Sequence, residues 1–125
     1  MVSKTIALRT IVTTLLKEVN NNVYYIEAPN NTSSPYIVFD FNTVDLNNYP
    51  RNDVFLIVDI WDKNDDTMTI ENLADEIEEK LNRLNYPTDE VLPTIFLSTR
   101  YNLTDEDKSI KRRQLRFEIQ NYERS

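Results

Sequence analysis

Acidic side chains near the middle of the chain offer the first possible chemistry. Asp62, Asn64 and Asp66 occupy alternate positions, as do the first ligands of a calcium-binding loop. An EF-hand loop that starts at Asp62 needs glycine at its sixth position and glutamate at its twelfth, where this chain has Thr67 and Leu73. We therefore expect these residues to form a capping turn ahead of a helix rather than a calcium site.

Of the enzyme classes, a two-metal nuclease fits the sequence best. Its site would be built from Asp40, Asp59, Asp62 and Lys63 around Mg²⁺. Nothing in the sequence fixes the geometry of this set, and a simpler interpretation makes Asp40 and Asp59 strand residues that pair with Arg or Tyr across a sheet. The chain contains no Cys, His or Gly, which excludes thiol nucleophiles, His-based triads, Cys/His zinc sites and glycine-rich phosphate loops. We expect no catalytic residue, no metal and no cofactor.

Residues 106–119, EDKSIKRRQLRFEI, place five basic side chains in a protein of net charge -7. Period-two alternation puts Leu115, Phe117 and Ile119 on one face of a strand, with Arg113 on the same apolar side. The opposite face carries Arg112, Gln114, Arg116, Glu118 and Gln120. A solvated face with weak ion pairs, a subunit or partner interface and a nucleic-acid edge all fit this pattern. A pI of about 4.6 disfavours nucleic acid.

Charge is unevenly distributed along the chain. Residues 51–99 contain four Lys or Arg and twelve Asp or Glu, whereas residues 100–125 contain seven and five. Surfaces of opposite charge on one molecule suit head-to-tail association as readily as a separate ligand.

Apolar periodicity predicts two helices and five strands in one domain, residues 1–125. The first helix runs from about Ser3 to Val19, and the second begins after Asp65 or Asp66 as N-cap and stops at Asn85 and Pro87. Asn clusters are expected to replace Gly at turns that need positive φ. Strands are predicted at 23–29, 35–41, 54–61, 94–101 and 112–122.

The predicted fold class is α+β, in the order α-β-β-β-α-β-β, with two helices packed on a mixed or antiparallel sheet. Residues 54–61, VFLIVDIW, are apolar at nearly every position, which is typical of a central strand covered on both faces. The polar stretch from Asn42 to Asp53 is expected to be a long loop or the tip of an extended hairpin. The sequence shows neither a signal peptide nor a membrane span, so we expect synthesis in the cytoplasm.

The ordered segments resemble the tail terminator, or tail completion, proteins of long non-contractile-tailed bacteriophages, from Ala7 to Tyr122. The resemblance rests on the leading helix, VYYIEAP followed by PYIVFDF, IVDIWD, the helix NLADEIEEKLNRL and the ending TRYNLTDEDKSIKRRQLRFEI. It implies a structural protein that forms a ring, most simply a hexamer, at the head–tail junction of the virion. Such a ring caps the tail tube, ends its polymerisation and contacts the tail tube protein and the head connector. DNA passes through the lumen without specific binding, and no membrane is involved.

On this hypothesis the basic strand pairs with acidic groups of a neighbouring subunit or of the tail tube. The residues concerned are Lys111, Arg112, Arg113 and Arg116, with Glu71, Asp75 and Glu78 as carboxylate partners. The second candidate contact, with the tail or the connector, is the loop that contains Leu46, Tyr49, Pro50 and Arg51.

The alternative function is a small acidic monomeric adaptor, or an inhibitor that mimics nucleic acid. It would bind a basic partner through the acidic side of the second helix, formed by Glu71, Asp75, Glu76, Glu78 and Glu79.

Overall fold

The computed structural model describes residues 4–45, 51–63, 66–89, 91–104 and 106–123. Two helices, α1 (Lys4–Lys17) and α2 (Met68–Leu81), accompany six strands. The strands are β1 (Val23–Tyr25), β2 (Tyr36–Asp45), β3 (Arg51–Asp62), β4 (Leu84–Asn85), β5 (Val91–Thr104) and β6 (Lys111–Glu123). They form one sheet in the order β1-β2-β3-β6-β5-β4, in which only β1 and β2 are parallel neighbours. The predicted α+β class and element order are confirmed, with the two-residue β4 as an addition.

One face of the sheet carries the core. Val58 of β3 lies opposite Phe39 of β2 and Leu115 of β6, and all three side chains are buried. Because side chains alternate along a strand, every second residue of β2, β3, β5 and β6 points to this face. Leu16 of α1 and Ile77 of α2 are fully buried in the same cluster. Both helices therefore pack on one side of the sheet.

The opposite face of the sheet, called here the open face, has no helix of the described chain on it. Phe55 of β3 is 40% exposed there, and Ile57 and Trp61 are only half-buried. The prediction that residues 54–61 are covered on both faces is therefore wrong within one subunit, although β3 does lie between two neighbours in the sheet. Since both helices share one side, no helix of the described chain covers these apolar side chains.

The α2 helix begins and ends differently from the sequence prediction. Thr67 is the N-cap and makes no side-chain capping bond, while Asp66 accepts a hydrogen bond from the Met68 N–H at 2.9 Å. The helix ends at Leu81, earlier than the predicted stop, because Asn85 pairs with β5 as part of β4.

Positive φ occurs in the described chain at Ile26, Asn31 and Arg83. Only Asn31 comes from the Asn clusters expected to replace Gly, so that prediction holds in part. The other two are fixed by strand contacts: the Ile26 N–H donates to Phe39 O at 2.9 Å, and the Arg83 N–H donates to Ile95 O at 2.7 Å. Such bonds offset the steric cost of about 1–2 kcal/mol that the Cβ atom of a residue other than glycine causes in this region.

Residues 42–45 and 51–53 lie in the paired strands β2 and β3, as the extended-hairpin alternative predicted. The β2 and β3 strands stay paired as far as Asp45 opposite Asp53. A register shift between Phe41 and Val44 marks a bulge in β2.

Candidate functional site

Asp59, the single charged residue of the apolar run 54–61, is neutralised on the open face. Asp59 Oδ1 accepts hydrogen bonds from Arg112 Nε at 3.2 Å, Arg112 Nη2 at 3.0 Å and Gln114 Nε2 at 3.0 Å. Gln114 is 8% exposed and lies directly opposite Asp59 in the sheet. Asp59 is thus a strand residue with an Arg partner across the sheet, as expected. Asp40 differs, because the hydrogen bond of its carboxylate is with the N–H of Phe41, at 2.8 Å.

Two guanidinium groups lie over aromatic rings beside Asp59. The Arg112 guanidinium carbon is 4.4 Å from the centre of the Trp61 ring, which stacks on Tyr36 at 6.2 Å. The Arg116 guanidinium carbon is 5.1 Å from the centre of the Tyr101 ring. Both contacts are cation–π interactions, in which the positive charge is attracted to the negative face of the aromatic ring.

Arg116 differs from Arg112 in its polar partners. Its Nε donates to Gln114 Oε1 at 3.0 Å, a neutral acceptor. No carboxylate of the described chain forms a salt bridge with it, and its side chain is exposed. Arg116 therefore presents on the open face a positive charge that no carboxylate of the described residues neutralises.

A second ionic cluster lies on the helix side of the sheet. Arg100 contacts three carboxylates of α2: Asp75 at 2.7 Å, Glu71 at 3.3 Å and Glu78 at 3.4 Å. Arg113 Nε donates to the second oxygen of Glu71, so this carboxylate bridges two arginines. The cluster ties α2 to β5 and β6.

Burial of Arg100 would by itself lower its pKa, but this effect is outweighed. Its hydrogen bond and charge attraction to Asp75, with further contributions from Glu78 and Glu71, hold the pKa above its ordinary value. The stabilisation that accompanies this raised pKa is present below the unfolded-state pKa, as long as the partner carboxylates are ionised. It is lost as the pH rises through the folded-state pKa. Arg100 stays charged throughout the neutral range.

The structure places the predicted interface residues in two groups. Arg113 lies on the apolar side, as the alternation predicts. Arg113 and Arg100 form salt bridges within their own chain to the carboxylates that were predicted to pair with a neighbouring subunit. Arg112 and Arg116 face the other side. Sequence reasoning missed Arg100, because a bulge between Leu97 and Thr99 moves it to the helix side. A period-two pattern carries no signal for that shift.

Lys111 lies at the start of β6, next to a compact turn. Its Nζ donates to the backbone carbonyl of Lys108 at 2.9 Å. In the same turn, hydrogen bonds from the hydroxyl and N–H of Ser109 lower the pKa of the exposed Asp107. The small stabilisation from Asp107 is therefore lost only as the pH falls through that lowered value.

The exposed residues of α2 form one stripe along the helix. Its members recur at steps of three and four residues: Met68, Asn72, Asp75, Glu76 and Glu79. Met68 is 69% exposed. Lys80 pairs with Glu18 at 2.6 Å, whereas Glu76 and Glu79 form no salt bridge with any described residue. The stripe is therefore acidic, with one apolar side chain at its first turn.

Most residues of the predicted contact with the tail or the connector are not among those that the structure describes. Leu46, Tyr49 and Pro50 fall outside the described residues. Arg51 is the first residue of β3, opposite Tyr122 in the sheet. The contact stays a prediction.

A groove of about 530 Å³ lies between residues 26–32 and the open face, lined by Tyr36, Trp61, Asp59 and Arg112. The aromatic rings of the groove, together with the Asp59–Arg112 ion pair, are suited to contact with a side chain of another protein. The described residues contain no group of three acidic side chains placed to hold a metal ion. Within the described chain, neither helix has the length and apolar character needed to cross a membrane.

Comparisons with known proteins agree with this fold. The family model described as tail completion protein gp17 matches residues 5–120. A solved structure titled "Virion of native gene transfer agent (GTA) particle" contains a chain that superposes with a TM-score of 0.66 at 11% identity, over 86% of this chain and 84% of that one. At this identity the likeness shows a shared fold. No curated protein sequence matches the chain. The family match spans most of the chain, and the protein therefore belongs to the family of tail completion protein gp17, a family of structural proteins of the virion.

Proposed function

We propose that this protein forms a ring, most simply a hexamer, that caps the end of the tail tube nearest the head. The ring ends polymerisation of the tube and joins it to the head connector. The observation that carries the proposal is the match to the tail completion family over residues 5–120. The protein would act at the head–tail junction of the virion as a stoichiometric part and not as a catalyst.

The charge of the protein supports a ring with a lumen for DNA. A net charge of -7 repels phosphate, so an acidic wall lets the genome pass without holding it. Two of the cationic groups of β6 are consistent with this. Arg112 is paired with Asp59 and Arg113 with Glu71, so neither offers a free guanidinium to DNA.

The monomeric adaptor gains little support from the acidic helix. Three of its five carboxylates, those of Glu71, Asp75 and Glu78, are shared with Arg100 and Arg113 of the same chain. This sharing reduces the negative charge that α2 offers to a basic partner.

Tail assembly in a phage that lacks the gene tests the proposal. Without the protein, tubes are expected to exceed their normal length and to remain without heads. Purified protein added during assembly should restore both length and joining. Tubes of normal length joined to heads in its absence would overturn the proposed function.

A further inference from the structure

We infer that a second copy of this chain covers the open face, and that the exposed stripe of α2 on that copy is the surface in contact with it. This inference rests on the proposed ring and identifies its two contacting surfaces. Each subunit would present the open face to one neighbour and α2 to the other.

Apolar side chains concentrate on the open face. Among the described residues, seven large apolar side chains are at least one-third exposed. Four of these lie on the open face: Phe55, Phe96, Tyr101 and Tyr122. Phe55 and Phe96 flank Glu118 from the two neighbouring strands, so exposed aromatic side chains lie on both sides of β6. Exposed aromatic side chains gathered on one face are typical of a protein interface.

The charges left without a partner on the two surfaces are opposite. Arg116 is positive, exposed and bound to neutral groups at the centre of the open face. Glu76 and Glu79 are negative and exposed on α2, with Met68 as an apolar contact on the same stripe. A guanidinium already oriented over Tyr101 loses little freedom when it binds a carboxylate. Charge complementarity therefore selects α2 as the covering surface.

The geometry of the subunit fits closure of a ring. The open face and α2 lie on opposite sides of the sheet, so a contact between them joins different surfaces of two copies. Such head-to-tail contacts build rings when the rotation between copies closes.

Single cysteines in this cysteine-free chain test the contact. Thr99 lies on the open face opposite Arg116, and Thr14 lies on the exposed side of α1. We expect Thr99→Cys to react with a maleimide about tenfold more slowly in the assembled ring than in subunits dissociated by salt, since a thiol reacts only where the reagent reaches it. The matched control, Thr14→Cys, should react at the same rate in both states.

The outcomes separate the two proposals. Protection of Thr99→Cys in the ring, with Thr14→Cys reactive, supports the inference. A ring in which Thr99→Cys stays fully reactive overturns the inference and leaves the proposed function standing. If no ring forms, either in solution or on purified tail tubes, the proposed function fails and this inference fails with it.

Charge reversal identifies the covering surface. Arg116→Glu should prevent ring formation, and combining it with Glu76→Lys and Glu79→Lys in the same chain should restore it. The assignment to α2 would be overturned by two results together. Thr99→Cys is protected in the ring, but Glu76→Lys and Glu79→Lys do not restore ring formation to the Arg116→Glu variant.

Discussion

The guanidinium carbon of Arg116 lies 5.1 Å from the centre of the Tyr101 ring, on the side of the sheet that carries no helix. The pair joins a positive charge to an aromatic side chain that is 40% exposed. Within the subunit this arrangement leaves both groups partly in solvent. A neighbouring subunit that supplies carboxylates would stabilise it further.

Assembly should depend on the sign of the charge at residue 116. Arg116→Glu is expected to leave the subunit folded and to lower the fraction in rings, measured by light scattering over a salt series. Lys108→Glu makes the same charge change in the exposed β5–β6 turn and should assemble as the unaltered protein does. Equal ring formation by the two variants would exclude Arg116 from the interface.

Arg100 and Arg116 should contribute in opposite ways to folding and assembly. Arg100→Gln leaves three carboxylates of α2 without their shared cation, and we expect it to lower the free energy of unfolding by about 1 kcal/mol. Arg116→Gln breaks no salt bridge within the described chain, only the hydrogen bond to Gln114 and the contact with Tyr101, and should lower the free energy of unfolding by less than Arg100→Gln does. Urea denaturation of the dissociated subunits measures both, and equal losses would contradict the assignment of Arg100 to a structural cluster.

The single tryptophan reports on the open face. Trp61 is half-buried between Arg112 and Tyr36, and a neighbouring subunit on this face would remove water from its ring. The fluorescence emission maximum should therefore shift to shorter wavelength when the ring assembles. An identical maximum in ring and dissociated subunit would indicate that Trp61 stays outside the interface.

Asn121 should be replaceable with a gain in stability. Its side chain is 1% exposed, and neither its amide nitrogen nor its amide oxygen has a hydrogen-bond partner in the described chain. An unsatisfied buried amide costs about 1–3 kcal/mol, so Asn121→Leu, which has a similar shape, is expected to raise the free energy of unfolding by about 1 kcal/mol. A loss of stability in thermal or urea unfolding would show that the amide is satisfied in solution.

Residues 46–50 should serve joining and not folding. Replacing them with a shorter polar turn is expected to leave the unfolding transition unchanged, because the paired part of the hairpin remains. Joining of tails to heads should be lost, as scored by electron microscopy of assembly mixtures. Full joining by the shortened protein would make the segment a simple connection.

The buried half of the fold could be predicted because its pattern is local. Leu115, Phe117 and Ile119 alternate as a half-buried strand requires, and all three are fully buried. Arg113 was placed on the same side by that alternation. Its partner Glu71, 42 residues away, was not predicted as a contact within the subunit, because period and propensity do not encode which helix face meets which strand.

Two features escaped sequence reasoning for different physical reasons. The bulge after Leu97 inserts one residue into β5 and moves the Arg100 side chain to the opposite face of the sheet. The sequence around Leu97 is ordinary for a strand and gives no sign of the bulge. The apolar run of β3 was interpreted as a strand covered on both faces. The run itself is real, but both helices of the described chain pack on one face, and an antiparallel sheet can leave its other face in solvent. Cover of that face by a neighbouring copy is the inference proposed above.

The most direct test of the central claim is electron microscopy of purified tails with the protein bound, averaged around the tube axis at each end. We predict a ring of six subunits at one end of the tube, nearest the head in complete virions, with the open face of each subunit against α2 of the next. Single copies, copies distributed along the tube, or tube ends without the protein would contradict the claim that it is the ring that completes the tail.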